Sequence, residues 1–399
     1  MKILLVNKFL YPKGGSETYV MNLGRYMQSV GHEVQYFGMD CEDRTVGNNA
    51  EAYTSPMDFH NGSFFDRIMY SVKTVYSEES RRKIRRVLDD FQPDVCHLNN
   101  FNYQLTPSII QEIVKWRKEN GKNCKIIYTA HDLQLVCPNH LMTNPVSGEI
   151  CEKCLGGNFD NCIKGKCIHG STLKSAVGAV EAWFWNKLGV YKNFDAVICP
   201  SGFLADKLSS NPVLKDKITV MHNFINIQKP ISIEKKNYVF FYGRYSKEKG
   251  IETLLNVADK LPNIQFVFAG RGPLNEEVDK RKNIENKGFL SGESLASLIS
   301  EAAFTVVPSE CPENCPFTVM ESQMYGTPVL GAEIGGIPEL IKTGETGELF
   351  ESGNAQQLER MIESMILDKA KLKAYSENCV NVKFDTTEEY FEKLIKLFE

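Results

Sequence analysis

The chain reads as an α/β protein built from two Rossmann-like parallel-sheet domains. Three observations predict this. Short runs rich in Val, Ile and aromatics alternate with helical patterns throughout. The alternation restarts after a polar stretch, Asn226 to Asn237, which reads as a linker. The length, 399 residues, exceeds what one compact core holds and points to two or three domains.

In the first half the runs KILLVN, EVQYFG, DVCHLNN, KIIYTAHD, AVICPS and ITVMHNF read as buried strands. Helical segments lie between them, such as ETYVMNLGRYMQSVG, which closes on a glycine stop signal. In the second half NYVFFYGR, IQFVFAG, GFLSG, AFTVVPS and PVLGAE read as strands, with helices such as GIETLLNVADKL between them. The chain ends in a helical pattern, TTEEYFEKLIKLFE. The expected first domain covers residues 1–228, carries a Cys-rich insertion at about 137–170, and is rejoined by the C-terminal helix at 384–399. The expected second domain covers residues 237–380. Open parallel sheets bind ligands beyond their strands' carboxyl ends, so two such domains facing each other would make a deep cleft.

The chain is 42% hydrophobic and 24% charged, ordinary for a soluble globular protein. A net charge of −4 argues against a nucleic-acid partner. Four apolar residues before Asn7 are too few for a signal-peptide core, and no apolar run reaches the ~18 residues of a spanning helix. The expectation is a cytoplasmic protein whose twelve cysteines are reduced thiols or metal ligands.

The stretch SECPENCPFTVMES places Glu313 and Glu321 around the start of a helix predicted near Phe317. Glu313 falls in the loop at the carboxyl end of the strand FTVVPS. A helix N-terminus presents free N–H groups and a positive dipole end, which suits a diphosphate. A carboxylate on each side of it could hold the hydroxyls of two sugars joined by that diphosphate. Read alone, two glutamates at this spacing are exposed side chains, and only the context argues otherwise.

The stretch ENCPFTVMESQMYGTPVLG, followed by GGIPELI, resembles the signature of family 4 retaining glycosyltransferases, which have the two-Rossmann GT-B architecture. The resemblance runs from the first strand to the final helix and is most specific in the second half. It implies that Glu313 contacts the donor sugar and that Glu321 holds the ribose hydroxyls. One departure stands out: the family often has Gly-Phe-Gly after its first glutamate, whereas here Asn314, Cys315 and Pro316 follow. Pro316 has no N–H, so the phosphate donors would be Phe317 and Thr318. The motif FYGRYSKEKG resembles the family's diphosphate-binding Arg–Lys motif and points to Arg244 and Lys249. Arg offers bidentate donors and Lys a point charge to a leaving diphosphate. The chain has no Asp-x-Asp, which fits protein cations in place of a metal ion. Glu339 in GGIPEL resembles a position near the nucleotide and sugar.

Gly14 and Gly15, between the first strand and the first helix, read either as a tight turn or as a close approach to a ligand; the resemblance implies donor phosphates and acceptor. His131 ends a strand, and the resemblance places it against the donor sugar or the acceptor. Asp132 is a weaker candidate, and His97 reads as structural. The implied chemistry is front-face attack, with the departing diphosphate accepting the acceptor's proton and no metal or cofactor needed for catalysis.

Five cysteines lie between Cys137 and Cys167. The C-x2-C pair Cys151 and Cys154 has tetrahedral-metal spacing. The expected ligands of a structural zinc are Cys137, Cys151, Cys154 and Cys167, with Cys162 spare. Free thiols in a loop are the other reading. From Arg67 to Val87 there are seven basic and two acidic residues, including Arg81, Arg82, Lys83, Arg85 and Arg86, while Ile84, Val87, Leu88 and Phe91 share one helix face. That pattern fits either an ordinary domain helix or docking on an anionic membrane surface at the inner leaflet.

The reading is a hexosyltransferase that moves a sugar from a nucleotide-sugar, UDP being the expected carrier, to a growing polyprenyl-linked surface glycan. Two alternatives remain: a nucleotide-sugar epimerase on the same architecture, or a non-catalytic sugar-binding module at the membrane surface.

Overall fold

The computed structural model describes residues 1–56, 73–226 and 234–399. The Arg67 end of the basic stretch and residues 227–233 of the linker lie outside the described residues. The chain divides into two compact units, Met1–Phe224 with Thr386–Glu399, and Ile225–Asp385.

In the first unit six strands form one parallel sheet in the order β2-β1-β3-β4-β5-β6. They are β1 (Lys2–Val6), β2 (Glu33–Phe37), β3 (Val95–Leu98), β4 (Lys125–Thr129), β5 (Ala196–Cys199) and β6 (Ile218–Val220). Ile3, Leu4, Leu5 and Val6 are all fully buried, as a strand covered by helices on both faces requires. Each such side chain contributes about 1.5–3 kcal/mol by leaving water. Chain order reverses between β1 and β3, so the carboxyl ends of these two strands form the ligand-prone crevice of this sheet.

The terminal helix Thr387–Phe398 belongs to this unit. It opens with a reciprocal capping box between Thr386 and Glu389. Its Tyr390 hydroxyl lies 2.8 Å from that of Tyr19, and the Phe398 ring stands edge-on to His97 at 5.9 Å.

The second unit repeats the design in the order β12-β11-β10-β7-β8-β9. Its strands are β7 (Tyr238–Arg244), β8 (Gln265–Arg271), β9 (Ile284–Asn286), β10 (Phe304–Val307), β11 (Val329–Ala332) and β12 (Gly347–Phe350). The reversal here falls between β7 and β10. Two expectations need correcting. The strand expected at GFLSG lies earlier, at β9, because Ile284 pairs with Phe266 while Gly288 and Gly292 take positive φ and end the extended run. Strand β12 went unrecognised, since GELF is too short and too polar to stand out.

The helix Glu78–Phe91 corrects the lipid-facing reading of its apolar side. Ile84, Val87, Leu88 and Phe91 are buried in the first unit's own core. Arg81 and Arg85 are drawn to acidic partners: Arg81 lies 2.8 Å from Glu112, and Arg85 lies 2.5 Å from Glu119 and 3.3 Å from Glu112. Arg82 and Arg86 stay exposed. Among the described residues no helix is long and apolar enough to cross a membrane.

Candidate functional site

The second unit gathers its charged groups at the β7/β10 reversal. Arg244 ends β7 with an exposed side chain. A short turn then carries Lys249 to Gly250, whose φ is +70°. A Cβ at Gly250 would stand 1.8 Å from the Pro308 carbonyl oxygen, so only glycine lets this turn press against the end of β10. Glu310 N–H donates to the Glu248 carbonyl at 3.0 Å, and the Thr253 hydroxyl donates to Glu310 Oε1 at 2.5 Å, pinning the two loops together.

The result is an ion pair. Lys249 Nζ lies 2.5 Å from Glu313 Oε1, and the Ser309 hydroxyl donates to the same oxygen at 2.8 Å. The Glu313 side chain is 14% exposed. Burial works against the charge on Lys249, but the Glu313 carboxylate outweighs it and holds the ammonium above its ordinary range. The GGIPEL loop braces the Glu313 backbone. Gly336 N–H donates to the Glu313 carbonyl at 2.7 Å, and a Cβ at Gly335 would meet that oxygen at 2.2 Å.

The helix Phe317–Met324 starts at Pro316 with no side-chain cap. Val319 N–H already bonds the Pro316 carbonyl, so Phe317 and Thr318 supply the leading amides. Glu321 sits one turn in and is half-buried. Burial pushes its carboxyl up to about 7, with the neighbouring Tyr242 hydroxyl opposing the rise. The Tyr242 hydroxyl donates its proton to the Thr318 carbonyl at 2.8 Å, tying the helix to β7. Glu339 is exposed on the short helix Ile337–Leu340.

In the first unit the loop after β1 leads to the helix Gly15–Ser29. Gly14 has φ −161°, and a Cβ there would meet only Glu17 Oε2 at 3.4 Å, so local geometry does not demand glycine. Gly14 and Gly15 are both exposed. Beneath them Glu17 is buried and accepts from Asn7 at 3.2 Å and Ser16 at 3.1 Å, and Asn100 donates to the Ser16 hydroxyl at 2.8 Å. His131 follows β4; its Nε2 lies 2.9 Å from Asn99 Oδ1, and its ring stands edge-on to Tyr19. Burial lowers its pKa to about 4, with the Asp132 charge opposing, so the imidazole is neutral at physiological pH. Asp132 Oδ2 faces His140 Nδ1 at 3.3 Å. His97 is fully buried, and its Nε2 lies 2.7 Å from the Thr129 hydroxyl.

Tyr242, Asn99 and Asn100 were not legible as site residues, because each acts through a partner distant in sequence; Ser309 acts on Glu313 four residues on, across a loop whose conformation no local pattern reveals. All twelve cysteines are free. Among the described residues no group of three or more His, Cys, Asp or Glu side chains is already arranged to hold a metal ion.

Comparison with known proteins fits this geometry. Residues 13–229 match the model of Glycosyltransferase Family 4, and residues 223–381 match that of Glycosyl transferases group 1. An uncharacterized glycosyltransferase, MJ1178 of Methanocaldococcus jannaschii, is 26% identical over 53% of this chain and 60% of its own length. An uncharacterized 42.6 kDa protein in the cps region of Klebsiella pneumoniae is 23% identical over 86% of this chain and 88% of its own length. Among solved structures, Anabaena Alr3699/HepE in complex with UDP superposes with a TM-score of 0.69 at 15% identity, covering 99% of each chain. The two parallel-sheet units are those of the GT-B fold, and the chain belongs to glycosyltransferase family 4.

Proposed function

We propose that this glycosyltransferase moves a hexose from a UDP-sugar to a growing, polyprenyl-linked surface glycan, with retention of anomeric configuration and without a catalytic metal. The observation that carries the reading is the Lys249–Glu313 pair at the β7/β10 reversal, together with the uncapped helix start at Phe317. The pair keeps an ammonium charged, and the uncapped amides offer a second anion-binding element. The donor is then held by Arg244, Lys249, Phe317 and Thr318 at its diphosphate, by Glu313 at the hexose and by Glu321 at the ribose, with Glu339 beside the nucleotide. Gly14, Gly15 and His131 serve the phosphates and the acceptor.

Transfer breaks the bond from the anomeric carbon to the diphosphate oxygen and forms one to the acceptor oxygen. The departing diphosphate takes the acceptor's proton. Arg244, Lys249 and the helix amides stabilise the charge that develops on it, and losing one such contact typically costs about 10²-fold or more in rate. UDP as the carrier is supported by the Anabaena neighbour solved with UDP. A capsular or lipopolysaccharide product is supported by the cps-region relative. Attachment at the inner face of the cell membrane is proposed through the Arg81–Arg86 segment, of which Arg82 and Arg86 are exposed.

The test is a thermal-shift screen of UDP-, GDP- and ADP-sugars, followed by donor-hydrolysis assays and anomeric NMR of any product. A UDP-sugar that stabilises the chain and is consumed, giving a product of unchanged anomeric configuration, supports the reading. Conversion of UDP-N-acetylglucosamine alone to its epimer would make the protein an epimerase. No donor turnover with any acceptor would leave a binding module.

A further inference from the structure

One helix of the first unit turns apolar side chains outward. The helix Thr172–Leu188 packs one face inward through Gly178, Ala179, Ala182 and the fully buried Trp185. The opposite face of such a helix is ordinarily polar. Here Leu173, Val180, Trp183, Phe184 and Leu188 are 38–74% exposed. Spacings of seven, three and four residues align them in one stripe, with Ala176 and Val177 half-exposed between them. Single apolar side chains on a surface need no explanation, but five of the thirteen large ones exposed among the described residues share this stripe. The helix's one carboxylate, Glu181, is buried, so its exposed charges are Lys174 near one end and Lys187 near the other.

Beyond the stripe the surface becomes basic. Leu188 lines an open groove with Arg81, Lys115 and Lys118, and Lys118 continues into a second groove with Arg117, Lys122 and Lys192. Together the grooves hold seven cations against two carboxylates, Glu119 and Asp195. Part of that charge is neutralised locally: Arg81 lies 2.8 Å from Glu112, Lys115 3.7 Å from Glu119 and Arg117 3.5 Å from Asp195. Lys118, Lys122, Lys187 and Lys192 are exposed and form no ion pair among the described residues. Aromatic and aliphatic side chains flanked by lysines make up an interfacial helix, which lies in the headgroup layer and needs no spanning length. At 17 residues this helix is about 25 Å long. A second copy of the chain fits this face poorly. Both ends of the stripe are basic, so a two-fold contact would bring like charges together in either direction.

We propose that the stripe on Thr172–Leu188 and the lysines around its C-terminal end dock on an anionic lipid bilayer. Trp183, Phe184 and Leu188 enter the boundary between headgroups and acyl chains, and Lys118, Lys187 and Lys192 reach the lipid phosphates. This docking rests on the membrane attachment proposed above and moves its main contact from the Arg81–Arg86 segment to this helix. Burial of the apolar side chains supplies binding that salt does not weaken, and the lysines add a part that salt screens. The three tryptophans provide a built-in reporter: Trp116 and Trp185 are fully buried, and Trp183 is the exposed one.

The test is co-sedimentation of the full chain with vesicles of phosphatidylcholine, with and without phosphatidylglycerol. The chain should bind the anionic vesicles, less so as salt rises, and Trp183 emission should shift to the blue and be quenched by brominated lipid. Trp183→Ser combined with Phe184→Ser should weaken binding about tenfold or more, and each of Lys118→Ser and Lys192→Ser about fivefold. These positions are exposed, so circular dichroism should stay unchanged; if a variant fails to fold, the Trp183 emission of the unaltered chain decides. Donor hydrolysis in solution needs no bilayer and should survive in the paired variant, so a chain that docks but consumes no donor upholds this surface and refutes the transferase reading alone. The proposal is overturned by a chain that sediments with neither vesicle, which removes the membrane attachment as well, or by equal binding to both. It is also overturned if the paired variant binds as well as the unaltered chain while Arg82→Ser with Arg86→Ser does not, which returns the attachment to that segment, or if the stripe forms a Trp183-dependent dimer that anionic vesicles fail to disperse.

Discussion

Lys249 Nζ and Glu313 Oε1 stand 2.5 Å apart, joined across two loops by an approach that Gly250 alone makes possible. The pair places an ammonium and a carboxylate at the carboxyl end of a parallel sheet, where the chain order reverses. If Lys249 stabilises the leaving diphosphate as proposed, Lys249→Ala is expected to lower kcat/KM by about 10²-fold or more, because it would remove that cation. The matching Glu313→Gln variant should depress turnover while leaving affinity for UDP alone nearly unchanged, since UDP lacks the hexose. Steady-state kinetics combined with UDP calorimetry separates the two, and equal loss of UDP affinity in both variants would refute the assignment.

Glu321 predicts a pH dependence. Burial raises its carboxyl to about 7, so the folded chain holds this proton more tightly than the unfolded chain does. Its contribution to stability is fully present below the unfolded carboxyl value of about 4.5 and is lost as pH rises through about 7. On the proposed role of Glu321, ribose hydroxyls would donate to the ionised form. UDP binding at pH 6 should therefore release a proton, and affinity should rise between pH 6 and pH 8. Glu321→Gln should flatten that profile and bind UDP more weakly. Calorimetry in buffers of different ionisation enthalpy checks the proton release.

Two glycines with positive φ should respond differently to alanine. Gly250 would place its Cβ 1.8 Å from the Pro308 carbonyl, whereas Gly121, at φ +59°, has nothing within 4 Å. Gly121→Ala carries only the backbone strain, about 1 kcal/mol. Gly250→Ala adds a clash with backbone and should cost more than about 2 kcal/mol, as well as displacing Lys249. Urea unfolding of both variants reads the difference, and equal losses would mean that the loop yields.

Tyr390 should anchor the terminal helix. Tyr390→Phe removes the hydroxyl that pairs with Tyr19, a loss of about 1 kcal/mol. Tyr390→Ala also empties a fully buried ring site and should cost about 3–5 kcal/mol. A Tyr390→Ala chain as stable as Tyr390→Phe would show that the helix packs loosely.

Much of the fold was readable along the chain because buried parallel strands are continuous apolar runs. KILLV, YVFFYGR and FTVV announce themselves by composition alone. GELF and IEN do not, because each is short and partly polar and becomes a strand only through its neighbour's hydrogen bonds. The helix Glu78–Phe91 marks a different limit. Its basic and apolar faces are visible in the sequence, but whether the apolar face meets lipid or core depends on what packs against it, and Ile84 and Leu88 meet the first unit's core.

The candidate site divides in the same way. Residue identity and spacing along the chain determined that Glu313 follows a strand, that Glu321 lies inside a helix, and that Arg244 and Lys249 occupy a loop, because strand, loop and helix leave local signatures. Only the tertiary structure decided that Lys249 meets Glu313, 64 positions further along the chain, that Asn99 reaches His131, and that Tyr242 holds the helix carrying Glu321. Those contacts arise from the strand order β10-β7 and β3-β4, which places distant strand ends side by side, and no local pattern encodes which ends become neighbours.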